Sequence, residues 1–187
     1  TLNNGSDNAL ADSGAVTVDS GATLGLSTDE TVGSLAGAGS ITLGSKTLTT
    51  GGANTSTSFA GIISGTGGLT KSGSGTQTLT GVNTYTGATT VSAGGLTLNN
   101  SSGTALANNS AVTLSGGTLT LDSASETIGN LSGASGTLAI GGNTLTVAQT
   151  GHATFSGAIT GTLPAAAARR GRWPAPPPAV VLPAPPP

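Results

Sequence analysis

The chain repeats itself at a shift of 96 residues. TLNN at 1–4 returns at 97–100, ALADSGAVTV (9–18) returns as ALANNSAVTL (105–114), and ETVGSLAGA (30–38) returns as ETIGNLSGA (126–134). KTLT (46–49) comes back as NTLT (143–146), and SFAGIISGT (58–66) as TFSGAITGT (154–162). Single-residue slips fall beside glycines and loop residues, where insertions are tolerated. Two copies of a long unit are present, the second incomplete, so the fold must be one built by stacking like pieces.

A finer beat runs inside each unit: VTV (16–18), TLGL (23–26), ITL (41–43), TLT (47–49 and 78–80), TTV (89–91) and LTL (96–98). A period of two makes each a half-buried strand, with Leu, Val or Ile on one side and Thr on the other. Gly, Asn and Ser clusters separate these segments. Strands so short do not make a stable hairpin alone. A two-residue hairpin turn of the Asn-Gly or Asp-Gly kind occurs only at Asn4-Gly5. Three short strands per turn, at roughly 20–26 residues per turn, therefore predict an all-β parallel β-helix over 1–163 rather than an antiparallel sandwich. Leu24, Leu35, Ile41, Leu48, Phe59 and Leu69 are expected to point inward, as are Leu79, Val91, Leu96, Leu98 and Leu119.

Composition narrows the function. Charged residues make up 6% of the chain, against about 25% in ordinary globular domains. Residues 1–163 hold Lys46 and Lys71 against all seven acids, while Arg169, Arg170 and Arg172 lie beyond. A weakly acidic body without a basic stripe argues against nucleic acid as a partner. The absence of cysteine removes disulfides and thiolate metal sites and fits an exported protein. The chain starts in mid-pattern with no signal peptide and no apolar run long enough to span a bilayer, as a piece of something larger would.

GTGGLTKSGSGTQTLTGVNTYTGATTVSAGGLTL, from Gly65 to Leu98, resembles the passenger-associated repeat of bacterial autotransporters. ETVGSLAGAGSITLG and FAGIISGTGGL resemble the segments that precede that repeat, so the resemblance extends over 1–162. It implies a right-handed parallel β-helix exported across the outer membrane through a C-terminal β-barrel. It also implies a display or adhesion role, with the repeat assisting passage and folding. No barrel strands are present, so the translocator would be supplied from outside this chain.

Within GVNTYTGATTV (81–91), Tyr85 and Val91 are expected in the core, with Thr84, Thr86 and Thr89 outside. Asn83 suits a ladder, because its amide can bond backbone in adjacent turns.

No residue is assigned a catalytic, cofactor or metal role. His152 is the sole histidine, Ser56 stands at the matching place in the first copy, and a solvated loop is expected there. Glu30 and Glu126 recur at one place in the unit, but about four turns separate them. Paired carboxylate chemistry needs a separation of roughly 5–10 Å, so a turn or ladder role is expected for both. Asp7, Asp12, Asp19, Asp29 and Asp122 are scattered, without the nonapeptide of calcium-binding β-rolls. GAGSITLG and GTGGL lack the Lys-Ser/Thr and helix of a phosphate loop. No GxSxG elbow leads a helix.

Thr-x-Thr triplets occur at 47–49, 76–78, 78–80, 84–86, 118–120 and 144–146. Aligned Thr rows on a solenoid can meet ice, but that needs threonines in register, and the spacings along the chain vary. Exposed Thr on a pleated strand is the simpler expectation.

All nine prolines fall in 164–187. Proline lacks the N–H of a sheet ladder, so a disordered or polyproline tail is expected there. The break falls mid-motif, ISGTGGLTK (63–71) against ITGTLPAAA (159–167), and the new residues share GC-rich codons. An out-of-frame reading of the repeat would leave this pattern, and a genuine linker is the rival. No function is assigned to Arg169, Arg170, Arg172 and Trp173.

The expected function is a non-catalytic structural or display segment at the bacterial cell surface. The alternatives are a glycan-binding or glycan-cleaving β-helix, and an ice-binding solenoid. Open turn ends carry an expectation of end-to-end self-association.

Overall fold

A computed structural model of the chain describes residues 9–149 and 151–161. The 164–187 tail, Asp7 and the Asn4-Gly5 turn lie outside the described residues.

Short alternating segments become short strands, three to a turn. The first turn runs through β1 (Ala15–Val18), β2 (Thr23–Gly25) and β3 (Glu30–Val32). The second holds β4 (Ser34–Gly37), β5 (Ser40–Thr42) and β6 (Leu48–Thr50), and the third β7 (Thr57–Phe59), β8 (Ile62–Ser64) and β9 (Leu69–Lys71). Turns four and five carry two strands each, β10 (Thr76–Leu79) with β11 (Thr89–Val91), then β12 (Gly95–Leu98) with β13 (Val112–Leu114). The sixth regains three, β14 (Thr118–Leu121), β15 (Glu126–Ile128) and β16 (Leu131–Ser132). β17 (Thr137–Gly141) and β18 (Leu145–Val147) follow, and β19 (Ala158–Gly161) stacks on β17.

Every strand pair among the described residues is parallel. The result is a β-solenoid of about seven turns. The first strands of successive turns form an eight-stranded sheet, β1-β4-β7-β10-β12-β14-β17-β19, and the third strands a six-stranded one, β3-β6-β9-β11-β13-β16. The second place is interrupted: β2-β5-β8 form one sheet, β15-β18 another, and turns four and five put no strand between them. Partners stand 17 residues apart at Thr23 and Ser40 and 23 apart at Thr89 and Val112. The turns thus reach below the 20–26 residues anticipated.

The core is a column of aliphatic side chains. Leu35, Ile41, Leu48, Phe59, Leu79, Val91, Leu96 and Leu119 are wholly enclosed, and Leu69 and Leu98 nearly so. Leu24, in the first turn, is half-buried against the same column. Tyr85 is also wholly enclosed, as expected.

The two sequence copies do not occupy equivalent faces. β1, on the eight-stranded sheet, corresponds to β13 on the six-stranded one, and β3 corresponds to β15 at the second place. β2 corresponds to β14 on the eight-stranded sheet. Each strand of the second copy is set back by one face, so the unit spans four and two-thirds turns rather than a whole number.

Local contacts nevertheless travel with the unit. Gly37 has φ 107° and Gly133, its counterpart, φ 136°. A Cβ at Gly37 would meet the Val18 carbonyl oxygen at 2.1 Å, and one at Gly133 the Leu114 oxygen at 1.9 Å. Val18 and Leu114 are themselves counterparts. The corner is a device of neighbouring turns and does not depend on which face it joins.

Candidate functional site: a polar relay across the interrupted face

The place where the second face loses its strands is filled by polar side chains pointing inward. Asn83, 2% exposed, accepts the Ile63 N–H at its Oδ1, 2.8 Å away, and donates from Nδ2 to the Ala105 carbonyl at 2.6 Å. Its amide thus serves as an extra peptide unit between turns three and five, the ladder role expected of it. Ala105 in turn donates its N–H to Glu126 Oε2 at 3.0 Å. Ile63 lies in β8, the last strand before the gap, and Glu126 opens β15, the first after it. The relay Ile63–Asn83–Ala105–Glu126 therefore connects the two sheets of the second face without a strand.

Glu30 does the same work one unit earlier. Its Oε2 accepts the Ala9 N–H at 2.8 Å and its Oε1 the Leu10 N–H at 3.1 Å. Ala9 and Leu10 correspond to Ala105 and Leu106, so ALA followed about twenty residues later by ET(V/I)G is an amide-capping motif. Both glutamates are buried. The ladder role expected for them holds, but the motif was visible only as a recurrence.

Thr89 corrects the sequence reading. The sequence of 81–91 suggests an outside position, yet the residue is wholly buried, and its hydroxyl shares a 2.6 Å hydrogen bond with the Tyr85 hydroxyl. Thr89 stands two residues before Val91 on β11, so the period of two puts both on the inner side. Thr84 and Thr86 are exposed as expected.

Two more interior polar groups escaped sequence reasoning. Lys71 is 1% exposed, and its ammonium donates to the carbonyls of Ser72, Gly73 and Ala93. Burial holds its pKa below the ordinary value. Gln77 accepts from the Thr57 hydroxyl at 3.2 Å and donates to the Thr57 and Thr78 carbonyls. A lysine or glutamine in a Thr-rich alternation looks like a surface residue, and only the stacking of turns shows where its chain ends.

The remaining candidates sit apart. His152 is exposed, and Asp12, Asp19, Asp29 and Asp122 are exposed and dispersed. Asp122 accepts a 2.8 Å bond from Asn99 Nδ2, and Asp29 takes the Thr47 N–H at 2.8 Å. A cleft beside the first turn is lined by Leu10, Val16, Val18, Asp19 and Leu24 among others.

The threonines do register, against the expectation drawn from their uneven spacing. Thr31, Thr49, Thr70, Thr90, Thr113 and Ser132 face one another on successive turns of the six-stranded sheet. On the eight-stranded sheet Thr78, Thr97 and Thr120 align in the same way. Variation in turn length is absorbed by loops between strands, so the ladder pairing keeps the rungs opposite one another.

The fold and this interior define a parallel β-solenoid whose turns are tied by inward-facing amide and carboxylate side chains. Residues 69–98 match the family described as passenger-associated-transport-repeat. The matched span runs from the first residue of β9 to the last of β12, and contains Lys71, Gln77, Asn83, Tyr85 and Thr89. No curated protein and no solved structure matches the chain.

Proposed function

We propose that the chain is a non-catalytic structural segment of an autotransporter passenger, a surface stalk or adhesin rod whose repeat assists secretion and folding. The observation that carries this is the overlap of the family repeat with the relay: the matched residues 69–98 supply Asn83, the side chain that joins turns three and five on the face where no strand joins them. In a solenoid each turn is stabilised by its neighbour, so turns added in sequence hold what has already emerged. A locking point in mid-chain suits a protein that folds while it is being threaded. An outer-membrane β-barrel would act as translocator and leave the segment at the cell surface or in the medium. Glycans or proteins of a host or matrix would then meet its outer faces.

The test expresses the full chain ahead of a β-barrel translocator and measures the passenger exposed to external protease on whole cells. Asn83→Ala and deletion of 69–98 should each lower the surface-exposed amount. Undiminished display of both variants would show that the repeat does not assist export.

The aligned threonines favour a second reading, contact with a periodic surface such as ice. Gly95 and Ala139 interrupt the rows on the eight-stranded sheet, which ranks it second. Thermal hysteresis of the purified chain, abolished by Thr97→Lys, would support it, and its absence would remove it.

A further inference from the structure

We propose that Glu126 is a proton-operated latch on the interrupted face: neutral, it keeps residues 99–111 closed against β15, and ionised, it loosens them. The two glutamates of the chain occupy one place in the unit and accept the amide of the same alanine, Ala9 or Ala105, yet their surroundings differ. Both Glu30 oxygens accept backbone amides. At Glu126 only Oε2 does so, while Oε1 is buried with no hydrogen-bond partner. The residue is 3% exposed. A buried carboxylate with an unpartnered oxygen is costly as an anion and much less so as an acid.

The groups that face Glu126 do not offset that cost. From β18 its strand partner is Leu145. From 99–111 come the amides of Ala105 and Leu106, and from its own strand that of Thr127. Turn four contributes Tyr85, which is titratable and whose charge couples unfavourably to that of Glu126. Burial and these backbone amides are the influences on the carboxyl. Burial outweighs the three amides and pushes its pKa up from 4.5 to about 7.

The direction of the linkage follows. The folded state holds a proton on Glu126 between about pH 4.5 and 7, where the opened state has released it. Closure is therefore favoured at acid pH and weakens as pH rises towards 7, above which no further loss occurs. A one-proton linkage changes the opening equilibrium by about tenfold per pH unit inside that window.

Because Glu30 and Glu126 are the only glutamates, glutamate labelled with carbon-13 at the side-chain carboxyl gives two resonances. We expect one of them to titrate near pH 7, and to vanish in Glu126→Gln. Amide exchange at Ala105 and Leu106, corrected for its intrinsic pH dependence, should show protection falling about tenfold per pH unit from pH 5 to 7. The slope should flatten in Glu126→Gln and persist in Glu30→Gln. Two resonances titrating together near the ordinary carboxyl value would overturn the proposal in the wild-type chain alone. So would an unchanged exchange slope in Glu126→Gln.

Discussion

Asn83 and Glu126 hold one residue by the two peptide groups that flank it: Asn83 donates to the Ala105 carbonyl at 2.6 Å, and Glu126 accepts the Ala105 N–H at 3.0 Å. One comes from turn four and the other from turn six, so Ala105 is clamped in a turn that has no second-face strand of its own to lay against β15. Asn83→Ala leaves the Ile63 N–H and the Ala105 carbonyl without these partners inside the protein. Each buried group so orphaned costs about 1–3 kcal/mol. We expect a loss of roughly 2–4 kcal/mol in urea unfolding, and under about 0.5 kcal/mol for the exposed neighbour Thr84→Ala. Equal effects of the two substitutions would contradict the relay.

Gly37 and Gly133 test whether the corner belongs to the unit or to the face. Both have positive φ, and in both an added Cβ collides with the carbonyl oxygen of the turn before. Alanine at either should cost at least about 1–3 kcal/mol, with the two values alike although the residues lie at different sheets. Gly142 meets nothing within 4 Å, so Gly142→Ala should fall within about 0.5 kcal/mol of the parent chain. Thermal or urea unfolding of the three variants decides it.

Lys71 should make stability rise on the alkaline side. Its pKa is held below the ordinary 10.5 by burial, so between those values the unfolded chain binds more protons and the folded state gains as pH rises. Urea midpoints should climb on the alkaline side up to about pH 10 in the parent chain and in Lys46→Met, and stay flat in Lys71→Met. The range stops there because Tyr85, whose ionisation burial suppresses, works in the opposite direction above about pH 10. A flat parent profile would show that the ammonium is solvated.

The unit's aromatic and aliphatic anchors should matter less in the second copy. Phe59 and Ile63 are wholly enclosed, whereas Phe155 is half-buried and Ile159 is 61% exposed. Phe59→Ala should cost about 3–5 kcal/mol, and Phe155→Ala less than about 2 kcal/mol. Amide exchange should quicken progressively from β14 to β19. We propose that Ile159, exposed on β19, is a contact for a second molecule. We expect concentration-dependent association in sedimentation velocity, weakened by Ile159→Asn. Uniform protection to Ile159 in a chain that stays monomeric would refute both expectations.

Strand, turn and column were legible in the sequence because each depends on near neighbours. Period-two alternation tells which side of a segment seeks the core, and so Leu35, Phe59, Leu79 and Leu119 could be named beforehand. The same rule, applied consistently, would have placed Thr89 beside Val91. Asn83 could be assigned to a ladder from its chemistry. What lies on the face opposite, however, is set by how many residues close each turn, and the 17 to 23 observed depend on where loops bulge while the parallel ladder keeps its rungs aligned. Only the tertiary structure therefore decided that the 96-residue unit advances by four and two-thirds turns, and that its copies meet different faces. The same stacking decided that Lys71 and Gln77 point inward and that Glu126 lacks a partner Glu30 possesses. Alternation records a side chain's preference for water or core, but the hydrogen bonds between turns come from residues about twenty positions apart, and their geometry exists only once the turns are stacked.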